Sequence, residues 1–184
     1  VSVARSEIWK SITAGQDGSA TIAITDHGRL VYAEGFGVAD RLQNIPVDKD
    51  TRFNIGSISK VYVTTAIMLL VDEAKVDLDK PVTAYLPEFR MADERYRQIT
   101  VRMLLNHSSG LPGGSYANSF GFHYYNDFLP ETLNTLAKSH LKHDPGAMAV
   151  YCNDGFSLAE MIVEKVSGKK FAAFCPASCT IRFL

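Results

Sequence analysis

The longest nearly apolar run of this chain extends from Val61 to Val71, and its polar interruptions are Thr64 and Thr65. The run is far shorter than the roughly 20 residues that cross a bilayer as a helix. A helix that is apolar on most of its sides instead belongs inside a protein core. We therefore expect a globular fold built around this segment, without a membrane span.

The overall composition supports a packed core and argues against several classes of partner. Of the 184 residues, 46% are hydrophobic and 21% are charged, which is unlike a disordered chain. The 19 basic and 20 acidic residues leave a formal net charge of −1, so we expect no binding to nucleic acid or to anionic membranes. The length suits one ordinary domain or two small lobes.

The cysteine and histidine patterns predict neither a disulfide scaffold nor a metal site. Cys152, Cys175 and Cys179 are too few for a disulfide framework, and their odd number leaves at least one thiol unpaired within the chain. His140 and His143 are three residues apart and could share a helical face, but solvated surface histidines are the simpler interpretation. We expect no metal and no cofactor.

The predicted elements come in the order of strands first and helices afterwards. Residues 3–14 predict an amphipathic helix, and residues 20–38 predict a β-hairpin that turns at Asp26-His27-Gly28. A long helix is predicted to start near Ser57 and to run to about Ala74. Shorter helices are predicted at 77–87, at 100–105 with Thr100 as the N-cap, at 131–141, and at 157–166 with Gly168 after its end. Two strands alone are marginal in stability, so the predicted sheet is incomplete.

Ser57 and Lys60 are three residues apart at the predicted start of the long helix, so their side chains can meet on one face. A serine at a helix start lies in the positive end of the helix dipole, which favours a developing alkoxide and disfavours a protonated Lys60. An amine in that setting can accept the serine proton near neutral pH. A serine that simply caps the helix is the structural alternative, and Ser59 can be a second hydroxyl that only packs.

A second candidate motif, Tyr151-Cys152-Asn153, follows the turn at Pro145-Gly146. Near a serine–lysine pair, the Tyr151 phenol could pass a proton to a leaving group. The Asn153 amide could orient Lys60 and bind a substrate carbonyl, and Cys152 is given no role. A tyrosine packed in the core is the alternative interpretation of this triplet. The aromatic cluster at 120–128 could line a substrate cleft or pack an irregular loop.

Taken together with their flanks, these motifs resemble the serine β-lactamase and penicillin-binding-protein superfamily. The resemblance is to the branch of class C β-lactamases, D,D-carboxypeptidases and β-lactamase-like esterases. The matching stretches follow the order of that family and are Thr51–Lys60, Asp77–Phe89, Leu104–Pro112 and Pro145–Asn153. His107, within the third stretch, is expected to structure its loop, and a role as a base is the alternative.

The resemblance implies an α/β fold of the β-lactamase/transpeptidase type, with an antiparallel sheet lobe, incomplete here, and a mostly helical lobe. The whole chain, residues 1–184, would form a single domain. Residues 1–56 would supply the N-terminal helix and the hairpin, and residues 57–155 the nucleophile helix and the helical lobe. Residues 156–184 would begin the C-terminal part of the sheet lobe.

The same resemblance implies a serine hydrolase that forms a covalent acyl-enzyme. Ser57 would attack a carbonyl, with its own backbone N–H as one oxyanion donor. Lys60 and Tyr151 would share the base and acid work, and Asn153 would position the substrate and Lys60. The acyl donor would be a β-lactam, a D-Ala-D-Ala peptide or a small ester, and the location would be periplasmic or extracellular.

One part of the family pattern has no counterpart that we can identify in this sequence. The third motif, lysine-threonine/serine-glycine or histidine-x-glycine on a strand, supplies a second oxyanion donor. Neither Asp26-His27-Gly28 nor Ser167-Gly168-Lys169 fits it, so the chain is expected to be truncated at its C-terminus. The alternative to an enzyme is then a penicillin-binding or truncated form without turnover, and a second chain or copy could complete the sheet. A nucleotide-binding fold, for which Gly35 and Gly37 are the evidence, is disfavoured.

Overall fold

The computed structural model describes residues 2–15, 18–114 and 128–178. They divide into two compact units, one within residues 1–55 and the other within residues 56–181. No helix in the described ranges combines the length and the apolarity needed to cross a membrane. The finer partition of the chain at residues 155 and 156 stays a prediction.

The first unit consists of one helix and a three-stranded antiparallel sheet. Helix α1 (Ser2–Thr13) is followed by β1 (Ser19–Asp26), β2 (Arg29–Asp40) and β3 (Ile45–Pro46), in the spatial order β1-β2-β3. The predicted helix and hairpin are therefore confirmed, with strands that extend slightly beyond the predicted bounds. Strand β3 was not predicted, because two residues are too few to form a pattern of alternation.

A two-residue turn at His27 and Gly28 joins β1 to β2. Both residues have positive φ, 46° and 74°, as the twist of an antiparallel hairpin requires. On β2, Phe36 is fully buried, and its ring packs edge-on against Trp9 of α1 with the ring centres 5.5 Å apart. Phe36 and Val47 are the buried apolar residues among those described in this unit, so its core is small.

Helix α2 (Ser59–Asp72) is the centre of the second unit and packs against α5 (Asn153–Ser167). Its buried residues recur at helical spacing and are Val63, Ala66, Ile67 and Leu70. Another face of the same helix remains exposed, with Val61 at 58% and Met68 at 39%. The prediction of a core helix is therefore right for one face of α2 and wrong for the other, because the neighbours present in this unit cover one side.

Three further helices of the second unit are α3 (Val101–Leu105), α4 (Phe128–Ala137) and α6 (Phe171–Ser178). The Thr100 side chain accepts a hydrogen bond from the Met103 N–H, so the predicted N-cap of α3 is confirmed. Helix α6 was not predicted, since its short sequence carries no clear apolar periodicity.

The boundaries of several predicted helices differ from those observed. Helix α4 spans Phe128–Ala137 rather than residues 131–141. Helix α5 begins at Asn153 rather than at residue 157, and Gly168, with φ 69°, follows its end as predicted. In the segment 77–87 the helical structure is a single 3-10 turn, Val82–Ala84. There the Val82 N–H donates to the Ile99 carbonyl at 2.8 Å, so a tertiary contact takes a donor that a longer helix would use.

The loop after α3 is bound by backbone N–H groups of the segment that leads to Tyr151. Lys142, Gly146 and Val150 donate to the carbonyls of Gly110, Ser108 and His107 at 2.8, 2.8 and 2.9 Å, respectively. Gly110 has φ 79°, and a Cβ there would lie 2.4 Å from the His143 carbonyl oxygen, so only glycine fits. These hydrogen bonds hold the segment 142–150 alongside the loop that starts at His107.

Candidate active site

Ser57 lies in a single 3-10 turn, Gly56–Ile58, immediately before α2. The α-helix itself begins at Ser59, two residues after the predicted start. The exposed Ser57 hydroxyl lies 3.1 Å from Lys60 Nζ and 2.5 Å from the Tyr151 hydroxyl. The spacing of one helical turn thus brings the hydroxyl and the amine together.

The Lys60 amine contacts the other three predicted site residues. It donates to Ser57 Oγ at 3.1 Å and to Asn153 Oδ1 at 2.8 Å. Its Nζ also lies 4.8 Å from the centre of the Tyr151 ring and 5.5 Å from the centre of the Phe156 ring. The amine is therefore held within reach of the hydroxyl whose proton must leave during a nucleophilic attack.

Tyr151 is 53% exposed, so its interpretation as a core tyrosine is wrong. Hydrogen bonding to Lys60 and to Ser57 lowers the pKa of the Tyr151 phenol below its usual 10, against an opposing effect of burial. A lowered pKa increases the fraction of Tyr151 present as phenolate, and the phenolate is the form that can accept the proton of a neighbouring hydroxyl. Tyr151 can thus act on the same proton as Lys60.

Asn153 and Asp154 begin α5 and bind both sides of Gly113. The Asn153 N–H donates to the Gly113 carbonyl at 3.3 Å, and the Gly113 N–H donates to Asp154 Oδ2 at 3.2 Å. Burial raises the pKa of the Asp154 carboxyl above its usual 3.8. With Asn153 Oδ1 bound to Lys60, the amide NH₂ is a hydrogen-bond donor that Lys60 cannot engage.

Asp154 was not identified from the sequence. The signal that could have found it is an acidic residue in the first turn of a helix, where loop N–H groups need an acceptor. The hydrogen bond that Asp154 accepts from the Gly113 N–H holds that part of the loop beside the site.

His107 also contacts the site, through a ring whose centre lies 4.6 Å from that of Tyr151. Its Nδ1 accepts a hydrogen bond from the Cys152 N–H at 3.1 Å. Burial, together with the positive charge of Lys60, lowers the pKa of the His107 imidazole below its usual 6.5. The sequence predicted a role in the loop, but no spacing could link His107 to a ring so distant along the chain.

Neither a metal site nor a disulfide is found among the described residues. Within the described ranges no three His, Cys, Asp or Glu side chains are arranged to hold a metal ion. Cys152 is buried and not disulfide-bonded, and burial raises the pKa of its thiol above the usual 9. Cys179 and the aromatic residues at 120–127 lie outside the described residues.

The arrangement is chemically suited to acyl transfer. An alcohol that contacts both an amine and a phenol can lose its proton to them as its oxygen forms a new bond. The same two groups can then return the proton to a departing oxygen or nitrogen atom. An exposed hydroxyl at this position also leaves room for a carbonyl compound to approach.

Comparisons with known proteins relate this site to a family. The model of the Beta-lactamase family matches residues 10–177. The chain is 34% identical over 166 residues to esterase EstB of Burkholderia gladioli, and 30% identical over 165 residues to penicillin-binding protein 4* of Bacillus subtilis (strain 168). The matches cover 84% and 87% of this chain but 42% and 35% of those two relatives. The chain therefore spans less than half the length of these two relatives.

A solved structure has the same fold as the described residues. The octameric penicillin-binding protein homologue from Pyrococcus abyssi matches with a TM-score of 0.80 at 30% identity, over 94% of this chain and 40% of that chain. The predicted α/β fold, with an incomplete antiparallel sheet lobe and a mostly helical lobe, is confirmed.

Proposed function

Because this chain belongs to the beta-lactamase family, we propose that it is a serine hydrolase that acts through a covalent acyl-enzyme on Ser57. The observation that supports this most directly is the contact of one exposed hydroxyl with two groups that can exchange protons. Ser57 Oγ lies 3.1 Å from Lys60 Nζ and 2.5 Å from the Tyr151 hydroxyl. Both distances are within the reach required of a general base.

In the proposed first step, the Ser57 oxygen attacks the carbonyl carbon of the acyl donor while its proton passes to the Lys60–Tyr151 pair. The carbonyl oxygen becomes an oxyanion, for which the Ser57 N–H is one proposed donor. When the tetrahedral intermediate collapses, the bond to the leaving group breaks and the proton goes to that group. Water then attacks the acyl-enzyme in the same way, which releases the acid and restores the Ser57 hydroxyl.

We assign the transferred proton to Lys60 and Tyr151 together, since both side chains contact the Ser57 hydroxyl. A positive charge on Lys60 stabilises a phenolate on Tyr151, in agreement with the direction in which the Tyr151 pKa is shifted. Asn153 holds the Lys60 amine through Oδ1 at 2.8 Å and offers its NH₂ group to the acyl donor.

The proposed acyl donor is a β-lactam, a D-Ala-D-Ala peptide or a small ester. This range is supported by the relatives, of which one is named an esterase and another a penicillin-binding protein. All three donors present a carbonyl carbon bonded to a nitrogen or oxygen leaving group, which is the chemistry that the Ser57 site requires.

Intact-protein mass spectrometry after incubation with a fluorescent penicillin, or with a p-nitrophenyl ester, tests the proposal. We expect a single acyl adduct on the wild-type chain and none on Ser57→Ala. Tyr151→Phe is the matched variant for the proton transfer, because it keeps the ring that contacts Lys60 and removes the hydroxyl, and it should be acylated more slowly. An adduct that persists in Ser57→Ala would refute the assignment, and Cys152→Ser would then test the thiol.

A penicillin-binding form without turnover is the second candidate. It is favoured by the position of Ser167-Gly168-Lys169, which ends α5 around a glycine with φ 69° and so does not lie on a strand. Loss of one oxyanion donor lowers the rate by about 10²–10³. An adduct that persists would favour this candidate, whereas repeated hydrolysis of nitrocefin would favour the enzyme.

We also propose that a further strand pairs with the first unit, supplied by a longer form of the protein or by a second copy. In the described part of the chain, β1 pairs with β2 alone, and an open strand edge invites pairing. One related structure is described as octameric. Sedimentation velocity should reveal association that increases with concentration, and a concentration-independent monomer would contradict the copy as the partner.

A further inference from the structure

His107 is a residue of the site to which the acyl-transfer scheme gives no role. Its backbone has φ 63°, in the left-handed region that favours glycine and asparagine. In this conformation the residue accepts two hydrogen bonds from one segment of chain. The Val150 N–H donates to the His107 carbonyl at 2.9 Å, and the Cys152 N–H donates to His107 Nδ1 at 3.1 Å. The two amides that flank Tyr151 are thus both bound by one residue.

The imidazole ring of His107 also contacts the phenol ring itself. The ring centres of His107 and Tyr151 are 4.6 Å apart, with the planes inclined by 34°. Phe156 of α5 packs on His107 with the ring centres 5.2 Å apart. The hydroxyl that reaches Ser57 therefore belongs to a side chain whose backbone is bound on both sides and whose ring is supported by His107.

We propose that His107, neutral and with its proton on Nε2, is a positioning residue that holds Tyr151 against Ser57. This proposal rests on the acyl-transfer function proposed above. Because the Cys152 N–H is a donor, His107 Nδ1 must present its lone pair, which leaves Nε2 to carry the proton. The hydrogen bond from the Cys152 N–H to His107 Nδ1 involves none of the reacting atoms. It then helps to hold the Tyr151 and Ser57 hydroxyls in contact at 2.5 Å.

Protonation of His107 would undo this arrangement. An Nδ1–H would face the Cys152 N–H, so the hydrogen bond would be replaced by two opposed donors. The titratable groups that act on the ring are Tyr151, which stacks on it, and Lys60, whose positive charge disfavours a second cation. The charged form is therefore favoured only in acid, and a rise in pH through the His107 pKa restores the neutral, positioning form.

Two substitutions separate this role from a purely local role in the loop. His107→Gly accepts the positive φ but removes both the acceptor and the ring, whereas His107→Asn accepts the same φ and keeps a side-chain oxygen as an acceptor. Both variants relieve backbone strain, so both are expected to fold. If His107 only shapes the loop, both should be acylated like the wild-type chain. Positioning predicts that the glycine variant is acylated roughly 10- to 100-fold more slowly, and that the asparagine variant recovers part of the loss.

The pH dependence of Ser57 acylation gives a second readout. For the wild-type chain we expect the acid limb of the rate to depend on one more proton than that of His107→Asn, namely the proton taken up by His107. The asparagine side chain cannot titrate, so this contribution should be absent from the variant. Equal rates and equal pH profiles for the wild type and both variants would overturn the proposal.

NMR of isotope-labelled histidine supplies a measurement that does not depend on activity. The chain has five histidines, and the signal lost in His107→Asn identifies His107. At neutral pH this signal should belong to the neutral Nε2–H tautomer, and an Nδ1–H tautomer or a charged ring would overturn the proposal. If the wild-type chain shows this tautomer but no acylation, the proposed hydrolase function fails while the placement of His107 stands.

Discussion

The two units of the chain differ in how much apolar surface each buries within itself. In the second unit, α2, α5 and their neighbours enclose a continuous core in which Ile67, Leu70 and Ile162 are fully buried. In the first unit, helix α1 buries none of its residues, and the described buried apolar side chains are Phe36 and Val47. Burial of apolar area is the main favourable contribution to folding, so we expect the second unit to be the more stable one.

The first unit also leaves large apolar side chains in contact with solvent. Leu42 is 99% exposed, Leu30 62% and Val31 60%. A small sheet of this kind needs further packing for stability. The four candidate site residues all lie in the second unit, where side chains on packed helices can hold a site at defined distances. The candidate chemistry is therefore built on the part of the chain that has the larger core of its own.

The largest effect is expected for Ser57 in the second unit, where loss of covalent labelling and loss of stability can be measured separately. Ser57→Ala should abolish covalent labelling, because it removes the attacking oxygen, and should leave thermal unfolding unchanged, because the side chain is exposed. Mass spectrometry and circular dichroism measure the two quantities on the same sample. A large fall in the melting temperature would mean that Ser57 serves the fold as well.

Lys60→Ala should slow the labelling of Ser57 by about 10²–10⁴-fold, the usual contribution of a general base or acid. Stopped-flow fluorescence with a labelled penicillin would measure the rate. Thr64→Ala is a control on the same helix, since its hydroxyl bonds to the Lys60 carbonyl and does not contact Ser57. Equal rates for Lys60→Ala and the wild type would exclude Lys60 from the proton transfer.

A pair of leucine substitutions tests the difference between the two cores. Leu70→Ala, in the second unit, should lower the free energy of unfolding by about 2–5 kcal/mol, because the residue is fully buried. Leu30→Ala, in the first unit, should change it by less than about 0.5 kcal/mol, because Leu30 is mostly exposed. Circular dichroism reports mainly the helices.

Trp9 allows the first unit to be followed separately in the same experiment, since it is the single tryptophan of the chain and lies in α1. Its fluorescence should change at a lower denaturant concentration than the helical signal. Coincident transitions that both shift with Leu70→Ala would show that the chain unfolds as one cooperative unit and that the first unit is not separately less stable.

The smallest effect on the free energy of unfolding is expected at two glycines that have similar backbone angles. Gly110, in the second unit, has φ 79° and Gly15, in the first, has φ 74°. A Cβ at position 110 would meet the His143 carbonyl at 2.4 Å, whereas a Cβ at position 15 would meet nothing within 4 Å. Gly110→Ala should cost about 1–3 kcal/mol, and Gly15→Ala less, as measured by denaturant titration. Equal costs would mean that backbone strain alone matters at both sites.

Several features could be predicted because their causes are local. The contact between Ser57 and Lys60 follows from helical periodicity, the hairpin from alternation and a turn at Gly28, and the cap of α3 from Thr100. Other features could not be predicted because they depend on contacts between distant segments. Examples are the single 3-10 turn at Val82–Ala84 and the exposed face of α2.

The sequence by itself determined the pair of hydroxyl and amine, the order of the elements and, through its motifs, the family. Tertiary structure decided that Tyr151 reaches Ser57, that Asn153 binds Lys60 and that His107 supports the phenol. The physical reason is the range of the interactions involved. Side chains one helical turn apart meet wherever the helix forms, whereas residues far apart in the chain meet only when a packed core and a network of backbone hydrogen bonds bring their segments together.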